Sequence, residues 1–191
     1  KDLNIPEPDI NLGIGSGTHA EQVGKTMMAF EKVIQSEKPD WIMVVGDVNA
    51  TLACSITAKK EHVKLCHIEA GLRSRDLTMP EEINRIVTDR LSDLLLTPDE
   101  ISSSNLRAEG VPEDHIFFVG NIMMDTLEAH REQACQLDLQ SILRYNLLDG
   151  SAPPYFPEDY ALMTMHRPSN VDAREILGPI VDVLINNISS K

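Results

Sequence analysis

Between Gly17 and Glu37 the apolar residues Val23, Met27, Phe30 and Ile34 recur at spacings of three and four. That spacing predicts an amphipathic helix, with Thr18 as its N-cap and Pro39-Asp40 ending it. The run Trp41-Ile42-Met43-Val44-Val45, closed by Gly46-Asp47, is continuously apolar and rich in β-formers, the pattern of a parallel strand covered on both faces. The alternation then repeats. Helices are expected over about 50–61, 80–91 and 102–109, and strands over 64–68, 94–97 and 116–119. A long polar helical region follows from about Met123 to Tyr145.

Short apolar strands separated by helices make βαβ units, and right-handed crossovers arrange such units as a doubly wound, Rossmann-like parallel sheet, an α/β fold. The stretch Asp149-Gly150-Ser151-Ala152-Pro153-Pro154 interrupts all periodicity and reads as a linker. Residues 1–150 are therefore expected to form one domain, incomplete at its start. Residues 151–191 then supply the linker, a strand over 160–165 and a helix from Ala173, the opening of a second α/β domain. Both ends of the chain read as cut, and the segment after about Pro154 is expected to be the first cleaved in limited proteolysis.

Composition narrows the function classes. A net charge of -13 over 191 residues opposes a polyphosphate backbone at long range and argues against nucleic acid as a partner. The longest apolar run, Trp41 to Val45, is too short to cross a bilayer, so no membrane association is expected. Cys54, Cys66 and Cys135 are odd in number and lack a C-x-x-C pair, which fits neither a disulfide framework nor a zinc site. With no secretory leader visible, a reducing, cytoplasmic setting is the expectation.

In open α/β sheets the ligand crevice lies outside the carboxyl ends of the strands, so the polar residues closing each apolar run are the candidates. Asp47 closes the first run and either projects into a cleft or caps the next helix. Glu69, in His67-Ile68-Glu69-Ala70-Gly71-Leu72-Arg73, is flanked by apolar surface. Partial desolvation there suits a carboxylate to proton transfer, the alternative being a structural ion pair with Arg73 or Arg85. In Pro80-Glu81-Glu82-Ile83-Asn84-Arg85 the proline and two acids are also what ordinary helix-start chemistry produces. There Arg85 either pairs with Glu81 at i,i+4 or faces a phosphate, for which its planar fork is suited. His166, followed by Arg167 and Pro168, closes the strand of the second domain and is expected in a cleft. His19, His62, His115 and His130 read as surface residues. The loop Gly13-Ile14-Gly15-Ser16-Gly17-Thr18 precedes a helix but completes no phosphate-binding fingerprint.

Taken together, Gly46-Asp47, the H-I-E-A-G-L-R run, the P-E-E-x-N-R run and His166-Arg167-Pro168 resemble the non-hydrolysing UDP-N-acetylglucosamine 2-epimerases, over nearly the whole chain and in order. The resemblance implies two doubly wound domains facing across a cleft, as in GT-B glycosyltransferases. It implies catalytic roles for Asp47, Glu69, Glu81 and His166, and substrate contacts from Asp47, Glu69, Arg85, His166 and Arg167. The family's Gly-Thr-Arg-Pro-Glu phosphate segment would precede Lys1, and most of its uridine-binding domain would follow Lys191. The implied partners are UDP-N-acetylglucosamine and UDP, with a homodimer expected and no metal or other cofactor required.

The implied reaction explains the number of ionisable groups. The C2 hydrogen of the sugar has no adjacent carbonyl to acidify it, so the family eliminates UDP across C1 and C2 and adds it back with C2 protonated from the opposite face. One group removes the proton and another returns it, which carboxylates in distinct surroundings can do near neutral pH. The readings kept beside this one are a hydrolysing 2-epimerase releasing UDP and N-acetylmannosamine, a GT-B glycosyltransferase, and a binding domain in which Asp47 and Glu69 are structural. Asn84-Arg85 favours the non-hydrolysing form.

Overall fold

The computed structural model describes residues 6–146, 163–165 and 168–187. The chain divides into two compact units, Lys1–Cys135 and Gln136–Lys191. The first holds helix α1 (His19–Glu37), strand β1 (Trp41–Val45), α2 (Asn49–Lys60), β2 (Lys64–Ile68), α3 (Pro80–Leu91), β3 (Leu94–Thr97), α4 (Glu100–Ala108), a 3₁₀ turn at Glu113–His115, β4 (Ile116–Phe118) and α5 (Ile122–Cys135). The strands form one parallel sheet in the order β1-β2-β3-β4, the Rossmann-like α/β arrangement that the periodicity implied.

Local chemistry accounts for the boundaries. Thr18 and Glu21 form the capping box of α1, each side chain bonding the other's backbone N–H. Lys38 in the left-handed region closes that helix before Pro39. Pro80 opens α3 from its first turn. Asp99 caps α4 through the Ser102 N–H at 2.7 Å.

The expectation that Trp41–Val45 is covered on both faces does not hold among the described residues. Ile42 and Val44 are buried, whereas Trp41, Met43 and Val45 are 45%, 60% and 53% exposed. The cause is topological. Four consecutive parallel strands joined by crossovers of one hand place their helices on one side of the sheet. Ile34 of α1, Ala58 of α2 and Leu91 of α3 accordingly pack with Ile42, Val44 and Leu65, while Leu106 of α4 packs with Leu95 and Ile116. On the other face Lys64 Nζ stands 5.3 Å over the Trp41 ring.

The long helical region expected over 123–145 consists of two helices. Asp138 ends that continuity by accepting from the N–H groups of Gln140 and Ser141, which starts α6 (Leu139–Tyr145) in the second unit. The second unit also contains α7 (Pro168–Val171) and α8 (Arg174–Asn187), the latter near the expected start at Ala173 and carrying Pro179 inside it. Of the strand expected over 160–165, Met163–Met165 adopt neither helix nor strand, and the rest lies outside the described residues. Among the described residues no helix is long and apolar enough to cross a membrane.

Candidate active site

Two tight turns at the carboxyl ends of β1 and β2 carry the first acidic candidates. After β1, Gly46 has φ +67°, which an L side chain adopts only with strain, and its N–H donates to Ile68 O at 3.2 Å. Asp47 follows. It does not cap α2, whose N-cap is Val48 without a side-chain bond. Thr51 instead ties α2 back to β1 by donating to Val45 O at 2.8 Å. After β2, Glu69 has φ +72°, and the N–H groups of Glu69 and Ala70 both donate to Leu96 O at 3.1 Å. A glutamate in the left-handed region costs on the order of 1 kcal/mol or more, a strain characteristic of functional sites.

Helix α3 joins the two turns. Arg85 reaches Asp47 Oδ2 through Nη1 at 2.8 Å and Glu69 Oε2 through Nη2 at 3.2 Å. One guanidinium therefore serves two carboxylates from different strands: of the pairs considered from sequence, Glu69–Arg85 forms, while among the described residues Glu69–Arg73 and Glu81–Arg85 do not. Each side chain of the pair is about a quarter exposed, while Arg85 is nearly buried and its Nε has no hydrogen-bond partner among the described residues. Asn84, one position earlier, donates to Asp47 O at 2.8 Å and to Asn49 Oδ1 at 3.3 Å.

Glu82 rather than Glu81 faces the protein. Its carboxylate accepts from Ser74 N–H at 2.8 Å, Arg75 N–H at 2.9 Å and Ser74 Oγ at 3.0 Å, fixing the loop between β2 and α3. Burial works against its charge, but the Ser74 and Arg75 amides, the Ser74 hydroxyl and the Arg73 guanidinium outweigh burial and hold it below the usual glutamate range. Because the folded-state value is depressed, Glu82 contributes stability above the ordinary value near 4.5 and loses it as pH falls through the lower folded value. Glu82→Gln is expected to destabilise by about 1–3 kcal/mol at neutral pH. Urea unfolding of the two proteins should converge as the solution is acidified below that range, and a difference that grows on acidification would contradict the assignment.

Glu81 is exposed in the first turn of α3, one helical turn before Arg85, with no hydrogen bond or ion pair among the described residues. His166 and Arg167 lie outside the described residues. The structure thus brings Asp47, Glu69 and Arg85 together and leaves Glu81 apart from their ion pairs. At the glycine-rich loop, the Glu21 carboxylate accepts the Thr18 N–H at 3.0 Å, so an acidic group occupies the helix start that a phosphate cradle would need. Burial pushes the Cys54 thiol up to about 11 and raises Cys66 as well, which removes both as ready nucleophiles.

Sequence reasoning gave no role to two buried residues beneath this site. His67, fully buried, lies on the helix-covered face of β2, and its Nδ1 meets Asp89 Oδ1 at 2.6 Å. Its Nε2 faces Gly46 O at 2.9 Å. Asp89 Oδ2 accepts from Gly71 N–H at 3.1 Å and from Arg73 Nη1 at 2.7 Å, and Arg73 also pairs with Glu109 at 2.7 Å. Burial opposes the Arg73 charge, yet Glu109 and Asp89 together hold its guanidinium above the usual arginine range. A signal was present: His67 alternates with Leu65 on the buried side of a strand, and a buried imidazole demands partners.

A family model described as UDP-N-acetylglucosamine 2-epimerase matches residues 1–190. The UDP-N-acetylglucosamine 2-epimerase of Methanocaldococcus jannaschii is 44% identical over 183 residues, covering 95% of this chain and 48% of that protein. A UDP-2,3-diacetamido-2,3-dideoxy-D-glucuronate 2-epimerase of Pseudomonas aeruginosa is 40% identical over 184 residues, again with 95% and 48% coverage. The crystal structure of the M. jannaschii enzyme in complex with UDP-GlcNAc and UDP matches with a TM-score of 0.83 at 42% identity, over 98% of this chain and 49% of that one. The chain spans about half the length of the curated relatives it matches.

Proposed function

The chain belongs to the UDP-N-acetylglucosamine 2-epimerase family, and on that premise we propose that the intact protein interconverts UDP-N-acetylglucosamine and UDP-N-acetylmannosamine without net hydrolysis. The observation that carries this reading is the junction of Asp47 and Glu69, from two strand ends, on one guanidinium. Two carboxylates at a crevice edge can handle the C2 proton, and a shared arginine keeps them in a common geometry.

In the forward direction a carboxylate takes the C2 proton. The C1–O bond breaks with its electrons moving to the β-phosphate oxygen, and a C1–C2 double bond forms. In the return, C2 is protonated on the opposite face and the UDP oxygen attacks C1. Asp47, Glu69 and Glu81 handle the protons in this proposal, while Arg85, His166 and Arg167 serve the diphosphate. Glu81 is free of ion pairs in the described structure, which suits it to a role beyond the Asp47–Glu69–Arg85 group. The division of residues into 1–150 and 151–191, the latter opening a second nucleotide-binding domain, and a homodimeric assembly belong to the same proposal.

Phosphorus NMR of the intact protein with UDP-N-acetylglucosamine tests the outcome. The diphosphate signals of a second UDP-sugar should grow to an equilibrium with no matching gain of free UDP. Free UDP increasing in step with sugar turnover would assign the hydrolysing reaction instead. The Pseudomonas relative makes a 2,3-diacetamido uronate sugar a specific second substrate to run beside it.

A further inference from the structure

The buried His67–Asp89 pair touches no candidate catalytic side chain, yet it reaches the backbone of both site-bearing turns. His67 Nε2 holds the carbonyl of Gly46, the residue before Asp47. Asp89 holds the N–H of Gly71, two residues after Glu69. Both glycines have positive φ, +67° and +81°, so each contact grips a turn at its sharpest point. The pair is thereby a bridge from the Asp47 turn through β2 and α3 to the Glu69 turn.

Stability alone does not account for such a device. His67 is 0% exposed and projects on the same face of β2 as Leu65. An apolar residue there would avoid desolvating a titratable pair, and buried ionic pairs commonly stabilise no better than well-packed apolar replacements. What a polar bridge adds is geometry. Its hydrogen bonds have direction and length, whereas apolar packing tolerates slippage, and proton transfer loses on the order of a hundredfold for a misplacement of about 1 Å.

We infer that His67 and Asp89 are positioning residues of the epimerase site, holding the Asp47 and Glu69 turns at the separation that proton transfer at C2 requires. This rests on the epimerase reading proposed above. Asp89 orients the ring through Nδ1 and holds the following loop through Gly71 and Arg73, while the contact that holds the Asp47 turn is the direct one from His67 Nε2 to Gly46 O. Arg85 fixes the two carboxylates directly, and the buried pair fixes the backbone from which they project.

The test uses three substitutions of His67 in the intact protein. In His67→Gln the side-chain amide can reach the Nε2 position and still donate to Gly46 O; in His67→Asn it can reach only the Nδ1 position beside Asp89; His67→Leu removes both contacts. The Gln variant should keep kcat within about threefold of the parent, whereas Asn and Leu should lose about tenfold or more, with KM and the Kd for UDP nearly unchanged in all three. Equal kcat per folded molecule across the series, with only Tm lowered, would overturn the inference, as would Gln losing as much as Asn. Should the Leu variant fail to fold, the Gln and Asn variants decide between them. Crystal structures of those two read the same point without turnover: the Gly46–Asp47 turn should stay in place in Gln and shift in Asn, and an unmoved turn in Asn refutes the role. A parent protein that produces no UDP-sugar epimer contradicts the epimerase reading itself, and the structural comparison then still reports on the bridge.

Discussion

Glu69→Gln in the intact protein should lower turnover by about a hundredfold or more while UDP binding survives. Glu69 sits in a left-handed conformation at the end of β2, with Arg85 Nη2 at 3.2 Å. The amide keeps the volume of the carboxylate and can accept the same hydrogen bond through its oxygen, so the fold and the neighbouring Asp47–Arg85 pair have no reason to rearrange. What the substitution removes is the capacity to accept or return a proton. The effect should therefore fall on kcat and leave the Kd for UDP nearly unchanged. Steady-state kinetics beside UDP titration measures both, and a loss of less than tenfold in kcat would show that Glu69 is structural.

The second large effect is on stability. At Gly71→Ala the new Cβ would come within 2.4 Å of the Ser102 carbonyl oxygen and 2.9 Å of its carbon, both backbone atoms of α4. The φ of +81° adds strain that only glycine escapes. Neither helix nor turn can yield cheaply, because Gly71 N–H is held by Asp89, and Asn105 Nδ2 donates to the Gly71 carbonyl at 3.0 Å. A loss of about 4 kcal/mol or more is expected, drawing on both left-handed strain and overpacking. Denaturant unfolding measures it, and a change under about 1 kcal/mol would mean that α4 shifts away from this turn without cost.

Much of the first unit was legible in the chain itself. Strands β1, β2 and β3 and helix α3 have the bounds that the apolar runs and their Pro, Gly and Asp punctuation imply. Thr18 caps α1 as its position suggested. Asp47 and Glu69 could be named because polar residues closing buried strands must emerge at one edge of a parallel sheet. Arg85 was one of two partners open to Glu69, but that Asp47 shares the same guanidinium was not legible. Arg85 had acidic neighbours at Glu81 along its own helix and at Asp47 and Glu69 across the fold, and spacing favours the local pair. Of two adjacent glutamates, spacing also could not say that Glu82 turns inward to hold Ser74 and Arg75 while Glu81 stays in solvent.

The sequence by itself determined the strands of the first unit, the helices between them and their parallel order, because periodicity and backbone-limited residues act over a few positions and are written locally. It also carried the family's motifs, since these are contiguous runs. Only the tertiary structure decided which face of the sheet the helices cover, which carboxylates share Arg85, and that His67 and Asp89 bridge two turns from below. Those outcomes depend on where α3 lies against β1 and β2. That placement follows from packing Ile34, Ala58, Leu65 and Leu91 into one core, a contact among four elements that no local pattern specifies.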